Sequence, residues 1–237
     1  MAVALWLEPK KNSAMHDVLS ALMDSLQSLF PDAPVFGPHI TITSNLVVKN
    51  KTDVETVLRA AAVAMDTLKH QPSPDSSSEP NIGEGQISRS THLITLEGFK
   101  VGKLFLDKLH FSVRKTAQLV SFAQIIRELY VLYPELVLHK VRTQSELDLV
   151  VLAGKEAALW ALNEFHPHLS LIYSSTYPVN QALLRTVETR IKDALDIDVL
   201  DEFAKFNIGW NGGILRVMRC EGPVNEWEDL GSIDIHG

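Results

Sequence analysis

Two short segments of the chain carry a histidine and a hydroxyl residue in the same pattern. They read FGPHITI at residues 36–42 and FHPHLSL at residues 165–171. Phe, Pro and His recur in register, and each histidine is followed by an apolar, a hydroxyl and an apolar residue. Because successive side chains of a strand point to opposite faces, His39 and Thr41 would share one face, about 7 Å apart. His168 and Ser170 would repeat this arrangement, with the apolar residues of both copies turned toward a core.

These groups suit chemistry on a phosphate ester. A hydroxyl donates a hydrogen bond to a non-bridging phosphate oxygen, which can only accept one. An imidazole with an ordinary pKa near 6.5 lets one ring act as a base while a second, protonated ring acts as an acid. If the two segments belong to two similar lobes around a pseudo-two-fold axis, both polar faces line one cleft. Two imidazoles and two hydroxyls would then converge on one phosphorus atom, an arrangement suited to in-line displacement.

The two motifs resemble the signature of the 2H phosphoesterase superfamily, which is a pair of His-x-Thr/Ser motifs. Residues 39–43, HITIT, are similar to the HxTxT pattern of its fungal and plant cyclic nucleotide phosphodiesterases. Residues 168–173, HLSLIY, are similar to the HxSxxY pattern of the same branch, and the opening ALWLEP at residues 4–9 looks like the start of the fungal enzymes. The resemblance covers essentially the whole chain, and its specific part is the two motifs.

The resemblance implies an α+β fold made of two lobes, each an antiparallel sheet with helices on its outer face. The lobes would form one domain over residues 1–237, with a central cleft on a pseudo-two-fold axis. The resemblance also implies hydrolysis of 2′,3′-cyclic nucleotides to 2′-phosphates, and of ADP-ribose 1″,2″-cyclic phosphate to ADP-ribose 1″-phosphate. The second substrate arises downstream of tRNA splicing. Neither a metal nor another cofactor is implied.

Carried over to this sequence, the family's roles fall on five residues of the two motifs. His39 and His168 would be the acid–base pair, Thr41 and Ser170 would hold the non-bridging phosphate oxygens, and Tyr173 would be a further donor. One assignment makes His168 the base that activates water and His39 the acid for the leaving 3′-oxygen. The reverse assignment fits the sequence equally well.

Trp6 is a candidate platform for stacking a nucleobase, because aromatic faces stack on any base. A tryptophan buried on the first strand is an equally good interpretation. For a metal site the sequence offers little, since it contains no His-x-x-x-His or Cys-x-x-Cys spacing. We therefore expect no metal at the site.

Composition narrows the class of partner. The formal net charge of −7 over 237 residues argues against the basic stripe that long nucleic acids require. The expected partner is a small cyclic-phosphate nucleotide. Cys220 is the single cysteine, so no intramolecular disulfide is expected, and no apolar run has the length of a membrane span. We expect a soluble, cytoplasmic monomer, with attachment to an organelle surface left open.

Two other functions fit parts of the pattern. A relative that processes RNA ends, as a 2′–5′ ligase or phosphodiesterase, would need a basic groove for the polymer. A non-catalytic nucleotide-binding module would keep the cleft without needing both histidines. Activity on a cyclic mononucleotide against activity on a long RNA end separates the first two functions, and nucleotide affinity without turnover identifies the third.

Periodicity and capping residues predict the elements around the motifs. A first strand is expected at 2–7, and a helix capped by Asn12 or Ser13 is expected to end at residue 30. Thr52 is the expected cap of a second helix through residue 69, with Glu55 at its capping-box position. We further expect strands at 91–99 and 103–113, helices at 116–132, 155–163 and 178–195, and strands within 203–220, with 136–153 ambiguous. Residues 71–86, rich in Pro, Ser, Gly and acidic residues, predict a mobile exposed loop.

Overall fold

The computed structural model describes residues 3–69, 92–139, 145–198 and 200–236. Within these ranges, eight strands form one antiparallel sheet, which packs against α-helices. The strands are β1 (Val3–Glu8), β2 (Ile40–Ser44), β3 (Ile94–Val101), β4 (Leu109–Val113), β5 (His168–Ile172), β6 (Gly209–Trp210), β7 (Gly213–Arg219) and β8 (Glu228–Ile235). The helices are α1 (Ala14–Gln27), α2 (Lys51–Lys69), α3 (Ala117–Arg127), α4 (Tyr133–Leu138), α5 (Glu146–Asn163) and α6 (Gln181–Leu195). Helices combined with an antiparallel sheet confirm the α+β class.

The strands of the two motifs, β2 and β5, lie side by side in the middle of the sheet. The strand order is β6-β3-β4-β5-β2-β1-β7-β8, and every neighbouring pair is antiparallel. Ile40 pairs with Leu169, and each of these residues directly follows a motif histidine. The division of the fold into two lobes around a pseudo-two-fold axis stays a prediction.

Each motif strand buries its apolar side chains beneath the helices. Ile40 and Ile42 of β2 and Leu169 and Leu171 of β5 are fully buried, and they join one core with apolar residues of α1, α2 and α3. Complete burial of an Ile or Leu side chain stabilises a fold by about 1.5–3 kcal/mol. The predicted burial of the apolar motif residues is therefore confirmed, and it leaves the polar residues of each motif on the opposite face.

A β-bulge interrupts this alternation in β2. Leu5 pairs with Thr43, whereas the next residue of β1, Trp6, pairs with Thr41, so one extra residue of β2 lies between the two pairs. Directly paired residues share a face of the sheet. Thr41 therefore lies on the face of Trp6, and Thr43 lies on the core face with Leu5. There the buried Thr43 Oγ1 accepts a hydrogen bond from Arg127 Nη1 at 3.2 Å.

A π-helical turn over Glu128–Leu132 joins α3 to α4. The helix predicted at 116–132 does not end there, because the chain stays helical through this turn and Pro134 lies in the first turn of α4. Proline has no N–H, so the carbonyl of Tyr130, four residues earlier, lacks its usual helical donor. That carbonyl instead accepts a hydrogen bond from the backbone N–H of Val47 at 2.8 Å. The segment after β2 thus supplies the hydrogen-bond donor that the proline cannot give to the Tyr130 carbonyl.

The capping predictions hold for α1 and fail for α2. Ser13 caps α1, and its hydroxyl accepts a backbone N–H of the first turn at 3.3 Å. In α2 the capping oxygen belongs to Asn50, whose Oδ1 accepts the N–H of Asp53 at 3.0 Å. Thr52 already lies inside the helix, so the predicted cap at Thr52 with Glu55 is wrong. Asn is as good a capping residue as Thr, and it comes earlier in the chain.

Several element boundaries also differ from the predicted ones. α5 begins at Glu146, well before residue 155, because Ser145 and Asp148 form a capping box with hydrogen bonds of 3.1 and 3.0 Å. A 3₁₀ helix over Leu200–Phe206 replaces the start of the strand predicted from residue 203. The predicted strand at 103–113 is a strand only from Leu109 onward, after a 3₁₀ turn over Phe105–Asp107.

The predicted mobile loop at 71–86 lies outside the described residues. Among the helices of the described ranges, none combines the length and the apolar character that crossing a lipid bilayer requires.

Candidate active site

The six residues predicted for the site line one cavity of about 420 Å³. The cavity opens on the face of the sheet opposite the helical core. The lining residues from the prediction are Trp6, His39, Thr41, His168, Ser170 and Tyr173. The structure therefore brings together every side chain that the sequence singles out, although their distances along the chain reach 167 residues.

The pairing of β2 with β5 arranges the two histidines and two hydroxyls as a small rectangle. Extending the Ile40–Leu169 register by one residue places His39 opposite Ser170 and Thr41 opposite His168. Directly opposed residues have Cβ atoms about 4.5–5.5 Å apart, and diagonal ones are about 7–8 Å apart. The imidazoles thus occupy two opposite corners and the hydroxyls the other two. A phosphate above this rectangle would have one imidazole on each side.

Both histidines are oriented by the same local hydrogen bond. His39 Nδ1 lies 2.8 Å from the carbonyl oxygen of Gly37, and His168 Nδ1 lies 2.9 Å from that of His166. A carbonyl oxygen only accepts hydrogen bonds, so each Nδ1 carries a proton and donates it. Each Nε2 is then the nitrogen that gains or loses a proton. The proline between each histidine and its carbonyl partner restricts the backbone there, which gives its recurrence a physical reason.

Aromatic rings enclose His39. Its imidazole stacks on the indole of Trp6, with 3.6 Å between ring centroids and 13° between the planes, and the ring of Phe36 meets it edge-on at 5.8 Å. His39 is only 3% exposed. This burial lowers the pKa of His39 to about 4, with the hydrogen bond to Gly37 opposing the shift and the charge of His168 adding to it. His39 is consequently neutral at pH 7.

Tyr173 faces the titrating nitrogen of His39. Its Oη lies 3.4 Å from His39 Nε2, and its ring stacks on Phe36 at 4.0 Å. Burial raises the pKa of Tyr173 to about 12, while a hydrogen bond with Ser170 opposes that shift. The phenol therefore keeps its proton at neutral pH and donates it toward the unprotonated Nε2 of His39.

Hydrogen bonds to a carboxylate fix the chain that follows Tyr173. The carboxylate of Asp32, in the segment after α1, accepts hydrogen bonds from Ser174 Oγ at 2.6 Å and from the Ser175 backbone and hydroxyl at 2.7 and 2.5 Å. The hydrogen bond from Ser174, followed by those from Ser175, lowers the pKa of Asp32 to about 2. The turn after β5 is thereby tied to the segment that precedes Phe36.

The surroundings of His168 differ from those of His39. His168 is only partly buried, and its nearest ring is that of His110 on β4, at 5.3 Å and 64°. His110 Nδ1 donates to the carbonyl of Asp107 at 2.9 Å, and burial is the main cause of its lowered pKa. The hydroxyl of Ser170 donates to the carbonyl of Leu106 at 3.2 Å. The two motifs thus present the same groups in unequal environments, one buried and one more open.

Comparison with known proteins gives the family. A sequence model described as cyclic phosphodiesterase-like protein matches residues 1–235. The chain belongs to this family. A protein of Saccharomyces cerevisiae named 2′,3′-cyclic-nucleotide 3′-phosphodiesterase is 35% identical to it over 260 residues, covering 99% of this chain and all of that protein. A protein of the same name from Candida albicans is 36% identical over 274 residues, with both chains fully covered.

The cavity of this cyclic phosphodiesterase-like protein also contains residues that the sequence analysis missed. Leu104, Leu106 and Trp227 line it, and so does Cys220, whose pKa burial raises to about 11. Nothing in the sequence distinguishes these residues, since they lie outside both motifs in loops and at strand ends. Phe36 is different, because its recurrence in the motif was a signal of its place against His39 and Tyr173.

Trp6 lies at the site with one face of its indole covered by His39, and it is 6% exposed. Its use as a platform for a nucleobase stays a prediction. Among the described residues, no group of three or more His, Cys, Asp or Glu side chains is arranged to hold a metal ion.

Proposed function

We propose that this chain is a 2′,3′-cyclic-nucleotide 3′-phosphodiesterase, which hydrolyses its substrate to the nucleoside 2′-phosphate with two histidines as acid and base. The observation that carries the proposal is the diagonal placement of His39 and His168 across the β2–β5 pair, with Thr41 and Ser170 at the other corners. The names of the fungal relatives support the reaction and its substrate class.

The proposal also includes a pseudo-two-fold symmetry of the fold. We infer that a pseudo-two-fold axis passes through the Ile40–Leu169 pair and relates two lobes. The strand order supports it, because β2-β1-β7-β8 extends to one side of this pair and β5-β4-β3-β6 to the other, with four strands on each side. The axis would exchange the two motifs and would explain why equivalent residues approach one phosphate from opposite directions.

The hydroxyls hold the phosphate in this mechanism. Thr41 and Ser170 each donate a hydrogen bond to one non-bridging oxygen of the cyclic phosphate, and Ser170 gives up its bond to the carbonyl of Leu106 to do so. Tyr173 is the further donor on the same side, and it gives up its contact with His39 Nε2, which is then free to take a proton from water. Donors fixed at the positions where negative charge grows stabilise the transition state more than the ground state.

We assign the base to His39 and the acid to His168, which reverses the first of the two assignments left open by the sequence. The low pKa of about 4 keeps His39 unprotonated at pH 7, as a base requires. Its Nε2 takes a proton from water as the water oxygen bonds to phosphorus. The bond from phosphorus to O3′ breaks on the opposite side, and the protonated Nε2 of His168 donates its proton to O3′. Stacking on Trp6 stabilises the imidazolium that His39 becomes.

Both proton transfers are supplied by the imidazoles, so we propose that the reaction needs no metal. ADP-ribose 1″,2″-cyclic phosphate carries the same five-membered cyclic phosphate on a ribose, and we propose it as a second substrate, with a role downstream of tRNA splicing. The family resemblance supports that role. The cytoplasmic location and the monomeric state stay predictions.

Hydrolysis of 2′,3′-cyclic AMP in excess EDTA, with the product isomer assigned by ³¹P NMR, tests the proposal. Formation of the 2′-phosphate at an undiminished rate is expected. A long RNA ending in a 2′,3′-cyclic phosphate serves as the competing substrate. Faster turnover of the RNA would favour a polymer-processing enzyme, nucleotide binding without turnover would favour a binding module, and loss of activity in EDTA would contradict the metal-free reaction.

The pH dependence tests the assignment of the base. A lowered pKa means that His39 stays neutral to lower pH, so kcat/KM is expected to fall only as the pH drops through about 4. An unshifted histidine base would lose activity near pH 6.5. A basic limb is expected from the general acid, because kcat/KM follows the groups of the free enzyme. The profile is measured from about pH 3.5 to 9, with circular dichroism verifying the folded state at each pH. An acidic limb near pH 6.5 would contradict the assignment.

A further inference from the structure

The cavity has a polar floor and an apolar rim. His39, Ser170 and Tyr173 are 3–5% exposed and form the floor. Leu104 and Leu106, on the loop between β3 and β4, are 72% and 51% exposed and line the same cavity. Large apolar side chains that stay exposed beside a cavity are typical of a ligand-binding surface. A ligand with a phosphate on the floor would extend its apolar part toward this rim.

Trp227 presents an aromatic face at the rim. In the described part of the cavity wall, the other indole and the phenol already have stacked partners, since Trp6 lies on His39 at 3.6 Å and Tyr173 on Phe36 at 4.0 Å. Trp227 meets Trp6 at an angle of 62° and Tyr173 at 59°, so neither ring stacks in parallel on its indole. Partial exposure leaves the indole of Trp227 available for stacking.

The loop before β8 holds Trp227 in place. The indole Nε1–H donates to the carbonyl of Gly222 at 3.3 Å, and the backbone N–H of Trp227 donates to the carbonyl of Val224 at 3.2 Å. The polar atom of the ring is therefore satisfied within the protein. What the ring offers to a ligand is its π face, already fixed in position, which reduces the entropy lost on binding.

The leucines on the other side of the rim are also held. The backbone N–H of Leu104 donates to Asp107 Oδ1 at 2.8 Å, and the carbonyl of Leu106 accepts the hydroxyl of Ser170 at 3.2 Å. This second hydrogen bond joins the rim directly to a residue of the floor. The Leu104–Asp107 hydrogen bond remains when Ser170 turns to the phosphate, so the leucines still lie above that phosphate and a planar apolar group fits between them and Trp227.

We propose that Trp227 and the side chains of Leu104 and Leu106 clamp the nucleobase of the substrate, and that they determine which cyclic phosphates are used efficiently. This inference rests on the proposed function. Stacking requires a π face and no particular hydrogen-bonding pattern, so the clamp accepts all four bases. Purines, with the larger stacking area, bind ahead of pyrimidines.

Two substrates test the clamp: 2′,3′-cyclic AMP, and methyl ribofuranoside 2,3-cyclic phosphate, which has the ribose and the cyclic phosphate but no base. Trp227→Leu is expected to raise KM for the nucleotide about 5- to 150-fold with kcat nearly unchanged, as the loss of one base–aromatic stack predicts. The KM for the base-free compound should stay within about twofold. Trp227→Phe keeps a π face and should retain most of the affinity.

Leu104→Ser tests the opposite side of the clamp without disturbing a buried group, because Leu104 is 72% exposed. It should raise KM for the nucleotide by severalfold and leave the base-free compound unaffected. Equal losses on both substrates, or a fall in kcat as large as the rise in KM, would overturn the clamp and make Trp227 a support for Trp6. The clamp is also overturned if the wild type processes both substrates with equal KM.

Failure of the proposed function would be visible separately, as a wild type that turns over neither compound. Binding of 2′-AMP, measured by isothermal titration calorimetry, then tests the clamp alone. Weaker binding by Trp227→Leu than by Trp227→Phe supports it, and equal affinity for the wild type and both variants overturns it.

Discussion

Replacing His39 by glutamine lowers kcat for 2′,3′-cyclic AMP about 100- to 10,000-fold, the range expected when a general base is removed. The glutamine side chain occupies a volume similar to that of the imidazole, so the cavity keeps its shape. What disappears is a nitrogen that accepts a proton. His168→Gln is expected to cause a loss of the same order, because the leaving O3′ then departs without a proton.

The two variants differ in their pH profiles, which separates the roles of the two histidines. His39→Gln should lose the acidic limb near pH 4, since that limb belongs to the base. His168→Gln should keep the acidic limb, because His39 is still present. His236→Gln, a substitution of an exposed histidine, is the control and should match the wild type. An acidic limb that survives in His39→Gln and vanishes in His168→Gln would mean that the roles are reversed.

The polar face of the site could be predicted because the motifs alternate. His39 and Thr41 flank an isoleucine that can only be stable in the core, so burial of Ile40 directs both neighbours to the other face. The same holds for the residues around Leu169. Two such strands with identical patterns also predict that they lie together. The pairing of Ile40 with Leu169 is the geometric result of that similarity.

The bulge in β2 could not be predicted, because it depends on how β1 pairs with β2. Alternation alone assigns Thr43 to the same face as Thr41, and the pattern HxTxT treats the two threonines alike. One extra residue between the pairs Leu5–Thr43 and Trp6–Thr41 turns Thr43 to the core. There its hydroxyl oxygen accepts a hydrogen bond from Arg127. A strand's faces are thus fixed by its register with a neighbour as well as by its own period.

The unequal environments of the histidines were equally invisible in the sequence. Both occur in the same local motif, and both donate Nδ1–H to a carbonyl two residues earlier. The difference comes from rings contributed by other segments, above all Trp6 from β1 and Tyr173 after β5. Desolvation by such distant residues lowers the pKa of His39, which its own motif does not show, so the sequence left the acid and the base interchangeable.

Removing either motif hydroxyl is expected to lower kcat about 100- to 1,000-fold, as the loss of a donor to a developing oxyanion does. Thr41→Val and Ser170→Ala are the variants, and the pseudo-symmetric placement predicts losses of similar size. Thr41→Ser and Ser170→Thr keep the hydroxyl and should recover most of the rate. The measurement is kcat at saturating 2′,3′-cyclic AMP.

Thr43→Val is the matched control, since it removes the same group from the same strand on the opposite face. It leaves the half-buried guanidinium of Arg127 without this acceptor, so it should reduce the free energy of unfolding by about 1.5–3 kcal/mol while kcat changes little. Thr41→Val should show the reverse, a large loss of kcat with little loss of stability, because Thr41 faces the cavity. If the two valine variants lost activity equally, the hydroxyl of Thr41 would be needed for the strand and not for the phosphate.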